Sequence, residues 1–162
     1  MESCHSIPTA EGSFTSTFRF LRNFSVYAMA DYATGYKRLD NNLRIRCQIF
    51  YTCPEYLQPD KANPRELVQM QTNGTLRDFV INNARYVKLR EISLSYDAPQ
   101  NIAAKAGAKN GGLTLSARNL HTWSPYTGLD PESEFVSGSP VNVDQAHVPQ
   151  LTAMVLTIRL SY

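Results

Sequence analysis

Three cysteines in 162 residues are too few for a disulfide scaffold, and their spacing matches no zinc-binding pattern. Cys47 and Cys53, six positions apart around an expected helix end, could pair in an oxidising compartment and leave Cys4 odd. Two buried thiols are the other reading. Charge is also sparse, at 19% of residues, and the Lys and Arg behind the net +2 are scattered, which argues against a nucleic-acid partner. No apolar run approaches the ~18 residues of a membrane-spanning helix. That excludes helical spans and leaves open β-strand spans, which need only ~9–11 residues. Residues 1–8 contain neither the basic nor the apolar region of a secretion signal. His5, His121 and His147 have no metal-ligand spacing, and no Ser/His/Asp, Cys/His or phosphate-loop pattern is recognisable. No catalytic residue, metal or cofactor is therefore expected.

What the sequence does contain is a period of two. In Arg85–Tyr96, the residues Ile92, Leu94 and Tyr96 fall on one face and Glu91, Ser93 and Ser95 on the other, the mark of a half-buried strand. Earlier in the same run the apolar residues are Val87 and Leu89, so the phase flips near Arg90 and a bulge is expected there. Similar alternation marks strands near 13–20, 23–33, 112–123 and 150–162, the first two close enough for a tight hairpin. A long connection over 36–84 contains two helical signals. One is Leu39, Leu43, Ile45 and Ile49 within Lys37–Phe50; the other is Asn63-Pro64-Arg65-Glu66, a helix start that should run to Asn73-Gly74. A Pro-, Ala- and Gly-rich turn follows Asp97, with a helical turn at Ile102–Ala106, and a second long stretch covers 124–149.

The connections thus run short, long, medium, long. In an up-and-down sheet both long ones lie at one edge, as in outer-membrane barrels with short periplasmic turns and long outer loops. Arg19, Asp31, Glu91, Arg118 and Arg159 all oppose their strand's apolar row, as expected of a wet lumen. Phe20, Phe24, Tyr96 and Tyr162 at one edge, and Tyr32, Tyr86 and Trp123 at the other, would form the interface aromatics. The alternation equally fits a soluble β-sheet module, with Trp123 and Tyr126 as a carbohydrate platform.

The ordered motifs narrow this choice. Tyr86 to Pro99 and Asn119 to Glu132, followed by a final strand that starts Val148-Pro149-Gln150 and ends on Tyr162, resemble the C-terminal end of SusC/RagA-type TonB-dependent outer-membrane receptors. The resemblance is close over about the last eighty residues and looser over the first hairpin. It implies an all-β fold: five antiparallel up-and-down strands of a large transmembrane barrel, incomplete as given, in a bacterial outer membrane with a periplasmic C-terminus. It implies uptake of oligosaccharides or peptides with no enzymatic step. The implied partners are outer-membrane lipid, a missing N-terminal barrel and plug, TonB, and a SusD-like surface lipoprotein. Such a piece would be the C-terminal portion of a receptor and would not transport alone. Leu160 and Tyr162 fit the assembly signal of a terminal barrel strand, whereas Thr157 stands where Gly is usual and Val155 where a polar residue is.

Trp123, Tyr126, Asp130 and Glu132, with Glu134 beyond, are the candidate ligand or partner loop, since aromatics beside carboxylates can stack on and hydrogen-bond a sugar or peptide. A loop fixed by its own turns is the structural alternative. A calcium site or a glycosidase pair built from these acids has little support, because neither a ligand loop nor a facing carboxylate geometry is specified.

Overall fold

Each period-two run becomes a strand of one five-stranded sheet. The computed structural model describes residues 5–61, 64, 67–68, 80–132, 143–145 and 148–162. The sheet is built from β1 (Ala10–Phe20), β2 (Phe24–Thr34), β5 (Tyr86–Ala98), β6 (Asn110–Trp123) and β8 (Ala153–Ser161), hydrogen-bonded in that order. It is antiparallel and open. Its strands are 9–14 residues long, at or above the ~9–11 that a tilted barrel strand uses to cross a bilayer. The chain divides into two compact units: 11–32, 87–123 and 150–162 carry the sheet, and 1–10, 33–86 and 124–149 carry both long connections.

The sheet's register lines up the two chemistries. Ile92, Ala117 and Met154 stand in one cross-strand row, Leu94, Leu115 and Leu156 in the next, and Tyr96, Leu113 and Ile158 in a third. The intervening rows are Glu91, Arg118 and Ala153, then Ser93, Ser116 and Val155, then Ser95, Thr114 and Thr157. Exposure runs opposite to that of a soluble sheet: Ile92 and Leu94 are 40% and 41% exposed, while Ser93 and Ser116 are each 6%. On the polar face Ser13 Oγ donates to Asp31 at 2.6 Å, Arg90 also pairs with Asp31, and Arg118 pairs with Glu91 at 3.1 Å.

The expected irregularity near Arg90 is present, and its extra residue lies on the neighbouring strand. Leu89 pairs with His121 and Glu91 with Arg118, so Arg90 faces both Asn119 and Leu120. Asn119 takes a positive φ of 52°, which Asn tolerates better than most residues. Its Nδ2 donates to the Leu151 carbonyl at 3.2 Å, and its own carbonyl accepts Thr152 Oγ1 at 2.8 Å. Across this step the exposed residues of β5 change parity, from Val87 to Ile92 and Leu94, while Lys88 is buried.

The turns are tied down locally. Leu21 and Arg22, between β1 and β2, both have positive φ, the geometry of a tight hairpin. Asn23 then donates its side-chain amide to the Asp97 carbonyl at 2.7 Å. Between β5 and β6 the helical turns Gln100–Ala103 and Ala104–Ala106 stop at Gly107, whose φ of 73° suits a residue without Cβ.

The loop unit departs from expectation. The Lys37–Phe50 stretch is not one helix: Lys37–Asp40 is a strand, β3, followed by a helical turn at Asn41–Arg44 and a π-turn at Ile45–Ile49. Asp40 is the reason for the boundary, because its carboxylate accepts the Leu43 N–H at 2.8 Å as an N-cap. β3 pairs antiparallel with β4 (Ile81–Asn83) and parallel with β7 (Val143–Asp144), which joins the two long connections in one small sheet. Of the second expected helix, Pro64, Leu67 and Val68 are helical; Asn63, Glu66, Met70, Asn73 and Gly74 lie outside the described residues.

Candidate functional site

The interior of the loop unit combines buried polar groups with a small apolar cluster. Arg38, Asp40 and Asp144 are all at most 2% exposed, beside an apolar cluster of Ala33, Tyr36, Ala84 and Tyr126 against which Tyr86 packs. Tyr126 Oη donates to Asp144 Oδ2 at 2.9 Å, and Tyr36 Oη donates to the Pro131 carbonyl at 2.9 Å. Arg38 Nη1 donates to the same carbonyl, while its Nε and Nη2 are buried without a hydrogen-bond partner among the described residues. Burial and the neighbouring Asp144 hold the Asp40 carboxyl above its ordinary 3.8. Burial, with Asp40 and Asp144 close by, pushes the Tyr126 hydroxyl up as well.

Beside this network lies a cleft of about 390 Å³, with Asp40 and Asn42 on one side and Ile45, Arg46, Phe50 and Leu129 completing its walls. That is within the range of pockets that take small organic ligands. Gly128 also lines it, and a Cβ there would collide with the Tyr126 ring, so the close approach needs glycine. Cys47 and Cys53 are paired as a disulfide, fully buried, with Cα atoms 5.0 Å apart, and Leu43 packs on them. Thr52 N–H returns to the Arg46 carbonyl at 2.9 Å, closing the loop that presents Phe50 and Tyr51 to solvent.

The residues expected to bind a ligand are distributed unevenly. Tyr126 and Asp130 are 8% and 6% exposed, and Asp130 Oδ1 accepts the Glu132 N–H at 3.0 Å, so these two shape the loop from within. Glu132 is half-buried, and Glu134 lies outside the described residues. Trp123 belongs to the sheet unit, exposed, with its ring 4.6 Å from His121. Among the aromatics expected at a membrane interface, Phe20 stacks on Phe24 at 5.6 Å and Phe24 meets Tyr96 at 4.8 Å; Phe18 extends the series. Tyr162 follows β8, exposed, and Leu160 opposes Gly111. Tyr86, expected with the upper interface aromatics, packs on the loop unit's core cluster, being the last residue of that unit before the chain passes to the sheet at Val87. Among the described residues no cluster of His, Cys, Asp or Glu is arranged to hold a metal ion. Sequence reasoning missed Arg38 and Asp144, which belong to short strands without usable periodicity.

No family model matches the chain. It is 24% identical over 88 residues to TonB-dependent receptor P3 of Formosa agariphila, a match covering 51% of this chain and 9% of that receptor. Among solved structures it is similar to the RagAB peptide importer. The "closed-closed" state gives a TM-score of 0.74 at 20% identity and the "open-open" state 0.71 at 20%, over 99% and 98% of this chain. The chain spans 18% of those solved chains. In fold over nearly its whole length, and in sequence over about half of it, the chain is similar to a segment of a SusC/RagA-type TonB-dependent receptor.

Proposed function

We propose that the chain forms barrel wall and extracellular loops of a TonB-dependent importer in a bacterial outer membrane, with its C-terminus on the periplasmic side. The observation that carries this reading is the exposure of the sheet: rows of Ile, Leu and Met stand open while Ser93 and Ser116 between them are buried. A contiguous apolar face of this kind is unstable in water and suited to lipid. No helix among the described residues is long and apolar enough to cross a membrane. The cargo is an oligosaccharide or a peptide, and the likeness to a peptide importer favours the peptide. TonB, a plug and a SusD-like lipoprotein act with it in the assembled receptor. On this reading the chain contributes walls and loops without catalysis, and import requires the rest of the receptor.

Fractionation tests the reading. The native protein is expected in the outer-membrane fraction, resistant to carbonate and released by detergent. Recovery from the soluble fraction without detergent would favour the carbohydrate-binding module instead.

A further inference from the structure

The cleft of the loop unit presents one accessible charge beside apolar walls. Asp40 lines it but is 2% exposed, and its carboxylate is occupied in capping Leu43. Arg46 is exposed and lines the same cleft, where its charge also acts on the Asp40 carboxyl. Phe50 and Leu129, on the lining, are 64% and 61% exposed. An exposed guanidinium next to two bare apolar side chains suits a ligand with an anionic end and an apolar body, because a planar guanidinium takes a carboxylate through two parallel hydrogen bonds. The Cys47–Cys53 bridge encloses Phe50 and begins one residue after Arg46, which fixes both to the same π-turn.

We propose that this cleft binds the C-terminal end of a short peptide: Arg46 takes the terminal carboxylate, and Phe50 and Leu129 flank an apolar last side chain. The assignment rests on the importer reading with a peptide cargo. It makes the bridged loop a selector of peptide ends, with the disulfide keeping the cation and the aromatic ring at a fixed spacing.

The test uses the protein purified in detergent from its native membrane, with Ala-Ala-Leu and its C-terminal amide as probes in calorimetric titrations. The free acid is expected to bind about tenfold more tightly than the amide, the worth of one charge-assisted interaction. Arg46→Gln should bring the free acid down to about the affinity of the amide, and Phe50→Ala should weaken both probes together. Equal binding of acid and amide, a preference that survives Arg46→Gln, or binding of neither probe would overturn the proposal. So would displacement of the peptide by a galacturonic acid trisaccharide at equal concentration, which would reassign the site to acidic sugars. Peptide uptake by cells carrying Arg46→Gln separates the two levels. Unchanged uptake together with an unchanged acid preference would reject the cleft and leave the importer standing, whereas absence of peptide uptake in the parent strain would reject the peptide cargo.

Discussion

At the residue scale, the buried polar network sets the chemistry of the loop unit. Asp40 is held protonated to a higher pH than an ordinary Asp, chiefly by burial, with the neighbouring Asp144 carboxylate adding to it. Between 3.8 and that raised value the folded chain keeps a proton that the unfolded chain has released, so stability is greatest below the window and falls as pH rises through it. Asp40→Asn keeps a capping side chain and removes the titration. Its thermal midpoint should therefore lose the part of the parent's decline that begins near pH 3.8, and parallel curves for the two proteins would contradict the assignment. Little of this network was legible beforehand. Arg38 and Asp144 look like ordinary surface charges in sequence, because burial there depends on a parallel pairing of residues about a hundred positions apart. Tyr126 and Asp130 were legible as a cluster but not as interior ones; only the hydroxyl of Tyr126 reaching Asp144 settles which way the ring points.

At the scale of elements, alternation located the strands because a sheet with one apolar face writes its register directly into the sequence. The parity change between Leu89 and Ile92 likewise located the irregular step, although the extra residue is Asn119 on β6. Asn119 itself lies in the motif read from the sequence, and its positive φ is a physical reason for Asn there. The strand Lys37–Asp40 escaped notice because Leu39, Leu43, Ile45 and Ile49 have helical spacing across the strand-to-helix boundary. A signal was present in Asp40 followed by Asn41-Asn42-Leu43, the form of an N-cap. The Cys47–Cys53 clip is an element of its own. A bridge closing so short a loop is worth about 2 kcal/mol by chain entropy. Cys47→Ser with Cys53→Ser should lower stability by about that amount in denaturant titration. Non-reduced peptide mapping of the parent should recover the two cysteines linked; recovery as free thiols would contradict the pairing.

For the whole molecule, the deciding property is which solvent the apolar rows meet. Ile92, Leu94, Leu115 and Leu156 share one face of an open sheet, and the Arg, Glu, Ser and Thr opposite them are paired across strands. Such a sheet has its edges at β1 and β8, whose backbone groups need partner strands wherever the surroundings exclude water. In the importer reading those partners are further wall strands, and the aromatic series Phe18, Phe20, Phe24 and Tyr96 marks one bilayer boundary. The most direct test of the central claim is nitroxide accessibility at single-cysteine positions 91 to 96, with Cys4, Cys47 and Cys53 replaced, in the protein reconstituted into lipid vesicles. Labels at Ile92, Leu94 and Tyr96 are predicted to collide with oxygen from the bilayer, and labels at Glu91, Ser93 and Ser95 with an aqueous nickel chelate, alternating residue by residue. Access of the chelate to all six positions, or shielding of Ile92, Leu94 and Tyr96 from both reagents, would contradict the lipid-facing wall.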